Sequence, residues 1–194
     1  MKKNAAGLER PHGINHVAYR CRDAEQTRWF YEDVLGLPLV TAPVFEEVPG
    51  IEARIPYMHL FFQLGNGETV AFFDQPETAD ESKFARADSF DRHLALEVRD
   101  EATLLAWQKY INDAGVSCLG PIDHGFVKSI YMYDPNGLQV ELTCRTSAYE
   151  EEMSDPARAH ASLAGWGRRM RALKEQKFGA AAIDRRSRRA SRPG

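Results

Sequence analysis

The segment His16-Val-Ala-Tyr-Arg-Cys-Arg-Asp23 returns further along the chain as His93-Leu-Ala-Leu-Glu-Val-Arg-Asp100. The two stretches are 77 residues apart, and His, Ala, Arg and Asp occupy the same places in both. Their apolar residues alternate with other residues, which predicts a strand in each. The repeat therefore predicts a domain built from two similar modules.

Each repeated segment is followed by a helical pattern and then by three short strand-like runs. The helices are predicted at 24–35 and 101–114, and each stops at a glycine, a common C-terminal signal. The remaining strands are predicted near 39–44, 58–64 and 69–74 in the first half, and near 116–119, 127–133 and 139–143 in the second. We therefore predict an α+β fold with two paired βαβββ modules that form a curved sheet around a metal-lined cavity, plus a C-terminal helix.

This plan divides the chain into six segments. They are an N-terminal extension (1–12), a first module (13–76), a linker (77–91), a second module (92–146), a C-terminal helical extension (147–177) and a basic disordered tail (178–194). The tail is predicted to be disordered because five arginines fall within residues 185–192 and no apolar residue larger than alanine lies among them.

The C-terminal helix is predicted to start at Ser154-Asp155-Pro156, a capping pattern followed by a proline. Its apolar stripe, formed by Leu163, Trp166, Met170 and Leu173, could pack on the same chain or on a partner. We predict a homodimer, because an exposed stripe of this kind is an aggregation hazard. The alternative is that the helix caps the cavity of its own chain.

Composition limits the classes of function. The 194 residues are 43% apolar and 27% charged, which is ordinary for a soluble globular protein. A net charge of −3 argues against a nucleic-acid partner, and no apolar run is long enough to span a membrane. The N-terminus has no apolar stretch typical of a secretory signal, and the three cysteines form no metal-binding spacing. A cytoplasmic location with reduced thiols is expected.

The predicted core takes one apolar face from each strand and helix. Its members are Val17, Tyr19, Trp29, Phe30, Leu35, Leu94, Leu96, Trp107, Ile111, Val140 and Leu142.

Strand alternation places three potential metal ligands on the faces opposite the predicted core. His16 and His93 lie at matching positions of the repeat, and Glu141 lies in the last strand, out of phase with Val140. If the modules pair around a pseudo-two-fold axis, the two histidines face each other. Two imidazoles and one carboxylate form a facial triad that leaves positions open for a substrate or O2. His16, His93 and Glu141 are therefore predicted to bind a divalent metal.

At this point the chain resembles a known family. The repeated module is similar to that of the vicinal oxygen chelate superfamily, which includes glyoxalase I, bleomycin-resistance proteins, fosfomycin-resistance enzymes and extradiol dioxygenases. Trp29-Phe-Tyr-Glu-Asp-Val-Leu-Gly-Leu-Pro38 is very similar to the first-helix motif of that family. The resemblance covers about residues 13–145 and leaves out the C-terminal helix and tail.

The second half also resembles the signature of extradiol ring-cleaving dioxygenases. It reads His124, five residues, Ile130, Tyr131, two residues, Asp134-Pro-Asn-Gly137 and, after three more, Glu141. The resemblance implies that His16, His93 and Glu141 hold Fe(II), although Mn, Co, Ni or Zn would also suit these ligands. It also implies that Tyr131 and His124 contact substrate oxygens.

Two departures from the family bear on the reaction. Extradiol enzymes of this type have a further histidine on a hairpin of the first half, where this chain has Gly67-Glu-Thr-Val70, and His59 on the preceding strand is a possible substitute. Glyoxalase I enzymes use a fourth ligand, a glutamate, near the end of the first half, where Ala71 stands here.

The predicted function is therefore an Fe(II) ring-cleaving dioxygenase for a catechol-like aromatic, with O2 as second substrate. The alternatives are another metal-dependent reaction of the superfamily, of the glyoxalase, epimerase or thiol-transfer type, and a protein that sequesters an aromatic or drug-like ligand without turnover.

Overall fold

A computed structural model describes residues 7–50 and 54–184, and the chain divides into two compact units, Met1–Thr146 and Ser147–Gly194. The first unit contains both modules and the linker between them. The second unit contains the C-terminal helices. Among the described residues, every helix is too short or too polar to cross a lipid bilayer.

The first module contains one helix and a five-stranded sheet. Its elements are β1 (His16–Cys21), α1 (Ala24–Arg28) continued by a π-helical segment (Trp29–Val34), β2 (Leu39–Thr41), β3 (Val44–Phe45), β4 (Tyr57–Gln63) and β5 (Thr69–Asp74). The strand order is β1-β5-β4-β2, with β3 also paired to β4, and β1 runs parallel to β5.

The second module repeats this plan with a four-stranded sheet. Its elements are β6 (His93–Glu97), α2 (Glu101–Asp113), β7 (Leu119–Asp123), β8 (Val127–Tyr133) and β9 (Gln139–Arg145), in the order β6-β9-β8-β7. The repeated aspartate caps the helix of each module: Asp23 accepts a hydrogen bond from the Gln26 amide and Asp100 from the Thr103 amide, both at 2.8 Å. The predicted α+β fold with two such modules is confirmed.

Three local predictions are corrected by hydrogen bonds that the sequence pattern does not show. The strand predicted at 116–119 starts only at Leu119, because the Val116 and Cys118 amides bond back to the end of α2. The strand predicted at 39–44 is divided by Pro43, which has no amide proton and accepts a bond from the His59 amide through its carbonyl. The linker contains two short 3-10 helices, Pro76–Thr78 and Glu81–Phe84.

One hydrophobic core takes in residues from both modules. Of the predicted members, Phe30, Leu35, Leu94, Ile111, Val140 and Leu142 are buried, whereas Val17, Tyr19, Leu96 and Trp107 are partly buried. Trp29 was predicted to be buried but is 42% exposed. The reason is the π-helical winding after Arg28, in which the Leu35 amide bonds to the Phe30 carbonyl, so that buried positions no longer follow the α-helical period.

A buried polar network joins the two modules at the turn between β8 and β9. The Tyr31 hydroxyl donates to Asp134 at 3.1 Å, and Asn136 donates to the Thr27 hydroxyl and accepts from the Arg22 amide. Burial raises the pKa of Asp134, although its hydrogen bonds to Asn136 and the Leu138 amide oppose that shift. This turn of the second module is therefore fixed against the helix of the first.

Tyr31→Phe is expected to lower the free energy of unfolding by about 1–3 kcal/mol, since a buried carboxylate loses one donor. Urea unfolding followed by circular dichroism measures this. Tyr19→Phe is the control, because the Tyr19 hydroxyl makes no hydrogen bond to the described residues. Equal stabilities of the two variants would show that the Tyr31 hydroxyl does not help to join the modules.

The second unit contains α3 (Tyr149–Met153), α4 (Pro156–Phe178) and α5 (Ala180–Asp184). The predicted start of the long helix is confirmed, since Asp155 accepts a hydrogen bond from the Arg158 amide at 2.9 Å. Along its apolar stripe, Leu163, Trp166 and Leu173 are exposed. Residues 180–184 were predicted to be disordered but form helix α5. Residues 185–194 of the predicted tail lie outside the described residues.

Candidate metal centre and its surroundings

The sheet face of the second module that points away from the core displays two rows of side chains. Backbone pairing puts His93, Gln139 and Tyr133 side by side in one row. The next row contains Ala95, Glu141 and Tyr131. Alternation along each strand thus brings the predicted ligands His93 and Glu141 to the same face as Tyr131.

His93 and Glu141 are adjacent in the structure. The His93 Nε2 lies 3.6 Å from a carboxylate oxygen of Glu141. Glu141 is buried, with 7% of the residue exposed. The His93 Nδ1 donates to the Ser89 carbonyl at 2.9 Å. A proton fixed on Nδ1 leaves the Nε2 lone pair free for a metal, the arrangement found around most metal-binding histidines.

Tyr131 and His124 form a hydrogen-bonded pair beside Glu141. The Tyr131 hydroxyl lies 2.7 Å from Nε2 of His124, which is in the loop between β7 and β8. Burial raises the pKa of Tyr131, the Ser129 hydroxyl opposes that rise, and the negative charge of Glu141 adds to it. Tyr131 therefore remains a neutral phenol at neutral pH and can donate a hydrogen bond.

The first module holds the other two predicted histidines. His16 Nδ1 lies 2.7 Å from the Asn15 side-chain oxygen, which again leaves Nε2 free. The His59 ring stacks on Phe73 at 3.8 Å between centroids and lies 5.8 Å from the His16 ring. Burial lowers the pKa of His59, and the neighbouring His16 lowers it further. The His59 Nε2 is buried and has no hydrogen-bond partner in the part of the chain that the structure describes.

The six predicted site residues thus form two groups, His93, Glu141, Tyr131 and His124 in one module and His16 and His59 in the other. Across residues 7–50 and 54–184, no three His, Cys, Asp or Glu side chains are grouped closely enough to hold one metal ion. Within the described part of one chain, His16 is therefore not grouped with His93 and Glu141, and the sequence had left open whether the modules that form the site pair within one chain or between two.

Backbone register also fixes which position of the first module corresponds to Glu141. Ala71 pairs with Ala18, as Glu141 pairs with Ala95. The first module therefore offers no carboxylate at the place of the fourth ligand of glyoxalase I enzymes.

Sequence reasoning missed two residues near this face. A cavity of about 300 Å³ is lined by Arg86, Tyr131, Tyr133 and Gln139, among others. Strand phase could have indicated Gln139, which shares a face with Glu141, but Arg86 is in the linker, where no pattern predicts a role. A larger cavity of about 700 Å³ lies between the hairpin at 64–68 and β6, and it is lined by none of the six predicted residues.

Comparison with known proteins supports the same family for the whole modular unit. Residues 13–142 match the model of the Glyoxalase/Bleomycin resistance protein/Dioxygenase superfamily. A segment of 51 residues is 37% identical to a Bacillus subtilis (strain 168) protein named "Putative ring-cleaving dioxygenase MhqA". That segment makes up 26% of this chain and 16% of the relative, so the chain matches only a small part of it.

Solved structures show the same fold at low sequence identity. A glyoxylase/bleomycin resistance protein/dioxygenase domain from Frankia sp. EAN1pec has a TM-score of 0.56 and 14% identity, covering 71% of this chain and 100% of that one. The fosfomycin resistance protein FosX from Listeria monocytogenes has a TM-score of 0.52 and 18% identity, covering 72% and 98%. With a family model that spans both modules, the chain belongs to the glyoxalase/bleomycin resistance protein/dioxygenase superfamily.

Proposed function

We propose that this protein is a mononuclear metal-dependent enzyme, an Fe(II) dioxygenase that cleaves the ring of a catechol-like aromatic. The observation that supports this most is the group of four on one sheet face: two ligands in contact, His93 and Glu141, beside the hydrogen-bonded pair Tyr131 and His124. The name of the partial relative from Bacillus subtilis points to the same reaction class.

The donor chemistry fits a divalent metal. His93 and His16 each have Nδ1 bonded to an oxygen and Nε2 free, and Glu141 adds a buried carboxylate. Facial N,N,O sites suit Fe(II), and Mn, Co, Ni or Zn can occupy them. When bound, the metal would act as a Lewis acid toward two neighbouring substrate oxygens and as the redox partner for O2.

Tyr131 and His124 would act on the substrate oxygens. When the His124 Nε2 carries the ring proton, it donates to the Tyr131 oxygen, which holds Tyr131 in one orientation next to Glu141 and leaves the phenol proton free for a substrate oxygen. A donor fixed in this way stabilises negative charge that develops on an oxygen during the reaction. The pair also provides a path by which a proton can reach the face of the sheet.

His59 is proposed to receive and return a substrate proton. Its ring lies on the same face as His16, and its lowered pKa keeps it neutral near pH 7, the form that can accept a proton. Its buried Nε2 also lacks a partner within the described residues.

His59→Gln is expected to lower kcat by about 10²–10⁴-fold at equal metal content. The wild-type rate should fall as the pH drops through the His59 pKa, which lies below the ordinary 6.5, and the variant should lose this acidic limb. Steady-state oxygen uptake between pH 5 and 8 measures both effects. Normal turnover per folded molecule, together with a lower melting temperature, would show instead that His59 only packs between Phe61 and Phe73.

We further propose that the protein works as a homodimer in which each metal site takes His16 from one chain and His93 with Glu141 from the other. Neither module alone groups three ligands among the described residues, and His16 and His93 are both exposed in the single chain. The exposed stripe on α4 is an additional surface through which two copies could associate.

The experiment that tests the function combines metal analysis with a substrate assay. Protein purified without added metal or chelator is analysed for metal, loaded with Fe(II) anaerobically, and then exposed to O2 with a panel of catechols. Oxygen uptake with a yellow ring-fission product is expected. Oxygen-independent conversion of other substrates would indicate another metal-dependent reaction, and stoichiometric binding without consumption would indicate a sequestering protein.

The second candidate, a sequestering protein, is favoured by one observation on the first module. Phe45 stacks on Tyr57, and Phe73 stacks on His59, so the open face around His16 is largely aromatic. Such a face could hold a flat ligand without chemistry. Fosfomycin resistance is stated for the Listeria neighbour, but its 18% identity shows the fold alone.

For the location, the cysteines are consistent with a reducing compartment such as the cytoplasm. Cys21, Cys118 and Cys144 are free and buried, and burial raises the pKa of Cys21 to about 12 and of Cys118 to about 11. Thiols in this state are weak nucleophiles, so we assign them no part in the reaction.

A further inference from the structure

The cavity of about 300 Å³ is lined by Tyr131 and by Gln139, the backbone neighbour of His93, whereas His93 and Glu141 themselves do not line it. Its aromatic lining includes Trp29, Tyr131 and Tyr133. A cavity of about 150 Å³ is enough to hold benzene, so this volume suits a single substituted aromatic ring.

Arg86 provides a positive charge at this cavity that no described carboxylate pairs with. Its guanidinium carbon lies 5.0 Å from the centroid of the Tyr133 ring. Asp134 lines the same cavity, but its oxygens accept hydrogen bonds from the Tyr31 hydroxyl and from the amides of Asn136 and Leu138. The N–H donors of the Arg86 guanidinium therefore remain available. A planar guanidinium can donate two parallel hydrogen bonds to the two oxygens of a carboxylate.

Gln139 lies between this arginine and the metal ligands. It pairs with His93 on one side and with Tyr133 on the other, and its side-chain oxygen is buried with no hydrogen-bond partner among the described residues. Neighbouring strands are about 4.8 Å apart, so the backbones of His93 and Tyr133 are separated by roughly 10 Å. One aromatic ring with a substituent can span this distance.

We propose that Arg86 binds a carboxylate on the substrate and so selects anionic catechols over neutral ones. The inference rests on the proposed function and narrows its substrate class to ring diols that bear a carboxylate. In this arrangement the carboxylate would meet the guanidinium, the ring would lie against Tyr131 and Tyr133, and the diol would lie on the Gln139 side of the cavity, which is the side nearer His93.

The test is calorimetric binding without O2, so that no turnover is needed. The probes are 3,4-dihydroxybenzoate and catechol, measured on the protein as purified and on Arg86→Gln and Arg86→Lys. Arg99→Gln is the matched control, because it removes the same charge from an exposed arginine of the second module that does not line this cavity.

The wild type and the control are expected to bind 3,4-dihydroxybenzoate at least ~10-fold more tightly than catechol. Arg86→Gln should bring the two affinities within ~3-fold of each other without weakening catechol, and Arg86→Lys should keep part of the preference.

The assignment would be overturned by no binding of 3,4-dihydroxybenzoate by the wild type, by no preference for it, or by a preference that Arg86→Gln retains. Equal weakening of both probes would show that Arg86 only supports the Tyr133 ring, and would also overturn it. A preserved, Arg86-dependent preference in a protein that consumes no O2 would reject the dioxygenase proposal while leaving this inference intact.

Discussion

Replacing His93, Glu141 or His16 with alanine is expected to reduce the affinity for a divalent metal by at least ~100-fold, and to abolish oxygen consumption with it. Loss of a second-sphere partner alone commonly costs 10–100-fold, and each of these changes removes a ligand itself. The measurement is metal content per chain after gel filtration, followed by oxygen uptake.

Two further variants keep this prediction falsifiable. Glu141 is buried, so Glu141→Gln provides a change of similar volume in case Glu141→Ala unfolds the sheet. His160→Ala removes a histidine from α4 and should leave metal content unaltered. Wild-type metal content in a folded variant at any of the three positions would remove that residue from the proposed ligand set.

Tyr131→Phe is expected to lower kcat by about 10²–10⁴-fold while metal content and melting temperature stay near those of the wild type. The phenol is next to Glu141 and bonded to His124, and the change removes only the hydroxyl. His124→Ala should give a smaller fall in the same direction, because Tyr131 keeps its proton but loses the group that orients it.

Tyr110→Phe is the control for this change, since its hydroxyl makes only a long 3.4 Å contact with a backbone carbonyl on the helical side. Steady-state kinetics at saturating substrate separate kcat from KM. A kcat within about twofold of the wild type for Tyr131→Phe, at equal metal content, would exclude the phenol from the reaction.

Much of the second module's site could be predicted because its signals are local. The period of a strand puts Gln139, Glu141 and Thr143 on one face, and the repeat aligns His93 with His16. The resemblance to the extradiol signature named Tyr131 and His124 as substrate contacts, and the structure places the two side chains 2.7 Å apart, a contact that was not predicted.

What could not be predicted depends on long-range contacts. The contacts that join the modules include the hydrogen bond between Tyr31 and Asp134, which are 103 residues apart and follow no period. Arg86 is in the linker, where neither strand nor helix phase constrains a side chain. Trp29 was misplaced because a π-helical turn cannot be read from an α-helical pattern.

We propose that two chains together build each metal-dependent catalytic site. A complementation assay tests this proposal most directly. His16→Ala and Glu141→Ala chains with different affinity tags are co-expressed, and the mixed dimer is isolated through both tags. In this dimer one site combines the intact His16 of the Glu141→Ala chain with the intact His93 and Glu141 of the His16→Ala chain. The other site lacks both His16 and Glu141.

The measurement is Fe(II)-dependent oxygen uptake by the mixed dimer with a catechol substrate. The mixed dimer should recover about half of the wild-type activity, because one of its two sites is complete. A mixed dimer of His93→Ala and Glu141→Ala chains is the control and should stay inactive, since both changes fall in the same half of the site. Activity in the first mixed dimer as low as in either parent variant would contradict a site shared between two chains.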